Sequence, residues 1–329
     1  MKITVILCTY NRAAILPTAL QSVAASKLPD SVHWEVLVVD NNSKDNTKAI
    51  VADFMARFPG RFRYIFEPIQ GKSNALNAGI RASEGEIIAF LDDDVTVEPT
   101  WLANLSQPLL SGEWFGAGGR VKALHTVPLP PWLSFDPPYD LGGTICGTFD
   151  CGEIPGELLR APNGSCMAYR RQIFERFGLF RTDLGPSDDG DTPRPNEDTE
   201  FGRRVLAAGI KLRYEPCAII YHPVVSERLH KNYFLTWWFD FGRALIREKG
   251  QRRPFMGLPR HVFSIPSLIV RCLSVRAFRW LTSVHTQKRF YWKCWVWMTM
   301  GQITEIHRQA NRFGRPTWVI AKQTSPSAD

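Results

Sequence analysis

The chain has 329 residues, 44% of them apolar, enough to bury the core of one large α/β domain with an appendage or of two domains. The net charge of +8 hides a split: residues 1–227 carry 22 Lys+Arg against 28 Asp+Glu, whereas residues 228–329 carry 18 against 4 and hold seven of the eleven tryptophans. The seven cysteines are odd in number and sit mostly in apolar runs, so they read as reduced thiols rather than a disulfide framework, and Cys146 and Cys151 match no zinc spacing. No uncharged apolar stretch reaches the roughly 18 residues a spanning helix needs.

Met1-Lys2 runs straight into Ile3–Cys8, a strand-length apolar segment, so no secretory leader is expected. Arg12 to about Ser26 reads as a helix with Ile15, Leu16, Ala19, Leu20 and Val23 on one face. Glu35–Val39 is a strand ending at Asp40, Asp45 to about Phe58 a helix, and Arg63–Phe66 a short strand. Gly71–Ala82 reads as a helix and Glu86–Leu91 as a buried strand. This alternation predicts an α/β fold with a mostly parallel, doubly wound sheet. Functional residues of such sheets gather at the carboxyl ends of the strands. Polar clusters stand there: Thr9-Tyr10-Asn11-Arg12, Asp40-Asn41-Asn42-Ser43 and Asp92-Asp93-Asp94.

Gly116-Ala117-Gly118-Gly119 does not qualify as a dinucleotide loop, because no helix follows it. Residues 126–140 are proline-rich and predict a surface excursion; residues 181–196, rich in Asp, Gly and Pro, predict a mobile loop. Long helical patterns dominate beyond Glu227.

Three adjacent carboxylates repel one another, so Asp92-Asp93-Asp94 persists most easily where a cation neutralises it. Side chains alternate along a strand, which turns Asp92 and Asp94 toward one site. Oxygen ligands of this kind suit Mg²⁺ or Mn²⁺, which often bridge to substrate phosphates. A second acidic group, Glu197-Asp198-Thr199-Glu200, opens a helical run, where carboxylates also complement the helix dipole.

Thr9–Arg12, Val38–Ser43, Gly71–Gly79 and Leu91–Asp94, in that order and spacing, resemble family 2 glycosyltransferases over about residues 1–225. The resemblance implies a GT-A fold over residues 1–227, with a nucleotide-sugar half at about 1–120 and an acceptor half at about 121–227. It implies inversion at the sugar and a nucleotide-diphosphate-sugar donor, a UDP-sugar above all, and a saccharide or lipid-linked acceptor. Thr9, Asn11, Arg12 and Asn42 are then expected beside the nucleotide, with Asp40 accepting a hydrogen bond from the base. Lys72, Asn77, Asp92 and Asp93 are expected at the donor, and Asn163 and Gly164, from Ala161–Arg171, under its sugar. Asp94, with Asp92 and His222, is expected to ligate the metal. Asp198 is expected to be the general base, with Glu197 orienting it or binding the acceptor. The chain lacks the Gln-x-x-Arg-Trp motif of processive members, which argues for transfer of a single sugar.

The remaining residues, 228–329, form a helical extension that mixes tryptophan with cations, notably over 232–249 and 289–298. Such segments suit peripheral attachment to an anionic membrane surface. That places the protein in the cytoplasm, on the inner face of the cell membrane, with no nucleic-acid partner expected. The competing expectation is that these helices pack on the catalytic domain and show a basic face to solvent. A nucleotidyltransferase is disfavoured, since Cys8–Arg12 contains no glycine to grip a triphosphate. A non-catalytic sugar-nucleotide-binding or scaffold protein would have no need of Glu197 and Asp198.

Overall fold

The computed structural model describes residues 2–125, 127–141, 147–249, 261–262 and 265–313; Thr126, at the head of the proline-rich segment, and Cys146 lie outside the described residues. Strands β1 (Lys2–Thr9), β2 (His33–Asp40), β3 (Phe62–Phe66) and β4 (Ile87–Asp92) alternate with helices α1 (Leu16–Ala24), α2 (Thr47–Arg57) and α3 (Lys72–Ala82). β1, β2 and β4 are continuous apolar runs, and their residues are almost all buried, as befits central parallel strands covered on both faces. Helix α1 starts later than its pattern predicts. The amides of Ile15 and Leu16 both bond to the Arg12 carbonyl in a preceding turn, and Pro17 then suits the first helical turn.

The chain continues through β5 (Thr96–Val97), α4 (Trp101–Leu110), β6 (Gly116–His125), β7 (Gly156–Glu157), β8 (Met167–Arg170), α5 (Arg171–Phe177), α6 (Glu197–Ala207) and β9 (Leu212–Val224). The sheet order is β3-β2-β1-β4-β8-β6-β9-β5, with β7 paired to β9. β1 to β4 pair in parallel, and β8 runs antiparallel to both β4 and β6. β9 alternates buried and half-buried residues along most of its length, the pattern of a strand with one face more fully covered than the other. The glycines of 116–119 lie inside β6. A Cβ at Gly119 would run into the Ala218 carbonyl and the Cys166 sulfur, so this glycine serves strand packing, not phosphate binding.

The chain divides into two compact units. The first comprises residues 1–128, 146–192 and 197–225; the second comprises 129–145, 193–196 and 226–329. The sequence assigned all residues up to 227 to the first. The second takes in the proline-rich segment because Trp132, Leu133 and Leu141 pack against Phe234, Phe290 and their neighbours. Its helices are α7 (Lys231–Lys249), α8 (Ser267–Thr282) and α9 (Thr286–Phe313). α7 and α9 are joined by a buried ion network in which Glu305 meets Arg243 at 3.2 Å and Arg247 at 2.7 Å. The aromatic residues of 232–249 and 289–298 were expected at a membrane surface. Instead Phe234, Trp238 and Phe290 are buried in this unit's own core, and Trp237, Trp295 and Trp297 pack against it. Among the described residues no helix is long and apolar enough to cross a membrane.

Candidate active site

The sheet register sets three of the predicted positions in a row. Thr9 pairs with Asp40 across β1 and β2, and Cys8 with Asp92 across β1 and β4, all at the carboxyl ends of the strands. Asp93 and Asp94 follow in the turn after β4. The next strand, β5, pairs with β9 through Thr96 and Tyr221, which brings His222 beside the turn. His222 Nε2 lies 3.5 Å from Asp94 Oδ1.

Two side-chain cations answer the carboxylates. Arg12 reaches Asp93 at 3.1 Å and Asp94 at 2.7 Å. Lys72, the first residue of α3, meets Asp92 at 2.7 Å and Glu197 at 3.6 Å. Burial disfavours the charge on Lys72, but Asp92 and Glu197 more than offset it and hold its pKa well above the usual lysine value. Burial pushes Asp93 up to about 6 against the pull of Arg12. It pushes Glu197 up to about 7 against the pull of Lys72. The repulsion within the acidic trio is thus balanced by the chain's own Arg12 and Lys72, pairings across some eighty and twenty positions that no local motif reveals.

Glu197, Asp198 and Glu200 form the acidic first turn of α6. Asp198 Oδ2 accepts the Gly164 amide at 2.7 Å, and Oδ1 accepts the Thr199 amide at 2.6 Å. A Cβ on Gly164 would stand 2.6 Å from Asp198 Oδ2, so only glycine allows the carboxylate this close. Asn163 holds the turn before β8, its Oδ1 accepting from the Ser165 amide and hydroxyl. Asp198, Glu197, Lys72, Asp92 and Gly164 therefore form one connected cluster, drawn from four separate sequence motifs.

Other predicted residues are engaged in building the site. Asp40 is buried, with Oδ1 accepting the Ser43 amide and Oδ2 the Tyr64 hydroxyl. Asn11 and Asn42 adopt positive φ of 50° and 65°, a conformation asparagine tolerates better than most residues. Asn11 exchanges hydrogen bonds with Ser43 and the Lys44 amide. Asn42 accepts from Lys44 Nζ. Asn77 faces no open site: its amide donates to the Phe180 carbonyl at 2.9 Å and accepts the Phe180 amide at 3.0 Å, so it clamps the 178–186 loop to α3. Ser73 adds a bond to the Leu184 carbonyl, and the Lys72 amide one to the Pro186 carbonyl. Tyr64 and Ser73 carry no motif that would have singled them out.

Among the described residues, no three His, Cys, Asp or Glu side chains converge to hold a metal ion. Of the expected ligands, Asp92 is paired with Lys72. Asp94 and His222 do meet. An oxygen and a nitrogen donor at that spacing fit a divalent cation that completes its shell on substrate phosphates and water.

A mostly parallel sheet with carboxylates at its strand ends, continued by a mixed half whose helix turns a carboxylate onto them, defines an enzyme of the GT-A type. The chain belongs to glycosyltransferase family 2: the family model Glycosyl transferase family 2 matches residues 4–178. It is 29% identical to the succinoglycan biosynthesis protein ExoM of Rhizobium meliloti over 74% of each chain. It is 31% identical to the uncharacterized glycosyltransferase alr2836 of Nostoc over 54% of this chain and 53% of that protein. Among solved structures, the mannosyltransferase PcManGT from Pyrobaculum calidifontis, in complex with GDP-Man and Mn²⁺, superimposes with a TM-score of 0.53 at 18% identity, over 97% of this chain and 78% of that one. S. aureus TarS 1–349 in complex with UDP-GlcNAc gives 0.54 at 14% identity, over 96% and 93%. At such identities these two structures speak to the fold.

Proposed function

We propose that this glycosyltransferase moves a single sugar, with inversion, from a UDP-sugar to a hydroxyl of a saccharide or lipid-linked acceptor in cell-surface polysaccharide or glycolipid synthesis. The observation that carries the reading is the cluster joining Asp198 through Glu197 and Lys72 to Asp92. It sets a proton acceptor on one side and phosphate-seeking cations on the other. The acceptor oxygen bonds to the anomeric carbon as the bond from that carbon to the diphosphate breaks. Asp198 takes the hydroxyl proton, and the nucleoside diphosphate leaves with the electron pair. Arg12 and Lys72 then exchange a carboxylate partner for phosphate oxygens, which neutralises the leaving group without drawing in water. Mg²⁺ or Mn²⁺ at Asp94 and His222 would offset further charge on the diphosphate. Asp40 and Thr9 stand at the nucleotide end of the row, and Asn163 and Gly164 at the sugar end.

The biosynthetic role in ExoM's name supports the synthetic part of this reading, UDP-GlcNAc in the TarS structure supports a UDP-sugar, and GDP-Man with Mn²⁺ in the PcManGT structure supports only a nucleotide-sugar with a divalent metal. The basic second unit supports cytoplasmic action on the inner membrane face through residues 228–329. The test is release of UDP from a panel of UDP-hexoses and UDP-N-acetylhexosamines, with Mn²⁺ and a bacterial membrane extract as acceptor. One of the panel is expected to turn over, and Asp198→Asn is expected to lower that rate about 10²- to 10⁴-fold. Undiminished turnover in the variant would remove Asp198 as the base.

A further inference from the structure

The two aromatic segments that suggested membrane attachment face inward, so an attachment through this unit needs another surface. Helix α8 supplies it. Val275 is 51% exposed, Phe278 67% and Leu281 68%, and Val284, in the turn to α9, is 91% exposed. A spacing of three residues keeps the three helical positions on one face. The opposite side of α8 is held to the unit: Ile269 packs on Ile246 and Ile306, and Arg276 bonds the Thr299 hydroxyl. At the C-terminal end of the stripe lies a cavity of about 370 Å³ lined by Lys231, Arg289, Lys293, Trp280, Phe290 and Val284. Its lining includes three cations and, among the described residues, no carboxylate. Lys231 stands over the Trp132 and Phe290 rings, and Lys293 over Trp280 and Trp297, so both ammonium groups are placed by aromatic faces rather than by acids. Between Glu248 and Glu305 the sequence has ten Lys or Arg residues and no Asp or Glu.

We propose that α8 is the membrane-docking element, lying along an anionic phospholipid surface with Val275, Phe278, Leu281 and Val284 inserted and a lipid phosphate seated among Lys231, Arg289 and Lys293. An exposed apolar stripe bordered by cations that meet no carboxylate among the described residues is the pattern of a helix that lies in the interface plane. The charge complementarity selects an anionic lipid over a neutral one, and the stripe selects a membrane over a free anion, which would have no use for it. The inference rests on the peripheral attachment proposed above and names the face that performs it.

The test is flotation of the full-length protein on phosphatidylcholine vesicles with and without phosphatidylglycerol. Wild type is expected to float only with phosphatidylglycerol. The pair F278E/L281E is expected to lose at least roughly tenfold in partitioning, and R289Q/K293Q roughly thirtyfold. All four side chains are on the surface or at the cavity rim, and unchanged circular dichroism and UDP binding verify the fold of each variant. If both pairs float like wild type, α8 is the wrong face while attachment through residues 228–329 stands. If wild type floats on neither vesicle, the attachment itself fails. Inorganic phosphate is expected to release the protein no better than chloride at equal ionic strength. Selective release by phosphate, lost in R289Q/K293Q, would make the cavity a free-phosphate site and overturn the lipid assignment.

Discussion

In the first unit, the carboxylates at the strand ends come with Arg12 and Lys72 as counter-ions, and Asp93, Asp94 and Glu197 are largely withdrawn from water. In the second, ten cations follow one another between Glu248 and Glu305 without an acid among them, several resting on aromatic rings. The first arrangement is closed electrostatically and poised for a ligand that can exchange with its internal partners. In the second, Lys231, Arg289 and Lys293 line a cavity that has no carboxylate among its described residues. The contrast teaches that net charge alone says little: the site of chemistry lies in the acidic unit, and the basic unit offers a surface.

The sharpest way to break this comparison is to remove the proton acceptor from the closed cluster. Asp198→Asn is expected to lower kcat about a thousandfold and leave UDP affinity within about twofold, measured by turnover and by calorimetry. An equal loss in affinity would mean that Asp198 belongs to the donor pocket.

The next largest effect is on stability against pH. Folded Glu197 keeps its proton up to about pH 7, whereas the unfolded chain releases it near the usual glutamate value of 4.5. The folded state therefore binds more protons in that window, and its stability falls as pH rises from about 4.5 to 7. The fall is at most about 3 kcal/mol, at roughly 1.4 kcal/mol per pKa unit. Glu197→Gln is expected to reduce this slope in urea titrations of the ligand-free protein, leaving the part that Asp93 contributes below about pH 6. A slope unchanged in the variant would place the proton elsewhere.

Asn77→Ala separates a clamp from a ligand. It leaves the Phe180 amide and carbonyl unpaired in a buried setting and is expected to cost about 2 kcal/mol. UDP affinity, measured at a temperature where the variant is folded, is expected to stay near wild type. The smallest effect belongs to the second unit. Trp132→Ala removes a half-buried ring that stacks edge-on against Phe234 and Phe290. It is expected to cost about 1–2 kcal/mol, less than a fully buried ring would. Hydrogen exchange is expected to rise in 129–141 and α7, with UDP binding unaltered.

The parallel half of the sheet was legible in the sequence because β1, β2 and β4 are unbroken apolar runs of strand length, bounded by polar clusters. The start of α1 was not, since Arg12–Ile15 has helical composition and yields to a turn for reasons set by the Arg12 carbonyl. The same limit hid what the site residues do. Asn77 stands in a glycosyltransferase motif, and nothing near it shows that its amide meets Phe180, 103 positions away. Likewise, the acidic trio called for a cation, but Arg12 and Lys72 became its partners only through the fold. Prolines marked residues 126–140 as a loop without showing that Trp132 would anchor it on α7 and α9. Tryptophan counts pointed to the tail as a surface, whereas Trp238 is buried, Trp237, Trp295 and Trp297 pack against the unit's core, and the exposed apolar side chains include Val275, Phe278 and Leu281 of α8.

The central claim is a nucleotide-diphosphate site at the carboxyl ends of β1, β2 and β4. Its most direct test is calorimetric titration of the full-length protein with UDP, GDP and dTDP, each with Mn²⁺ and with EDTA, repeated on Asp94→Ala. The account predicts UDP binding in Mn²⁺ that weakens at least roughly tenfold in EDTA and in the variant. UDP binding of equal strength in EDTA and in Asp94→Ala, or no binding of any of the three nucleotides, would contradict it.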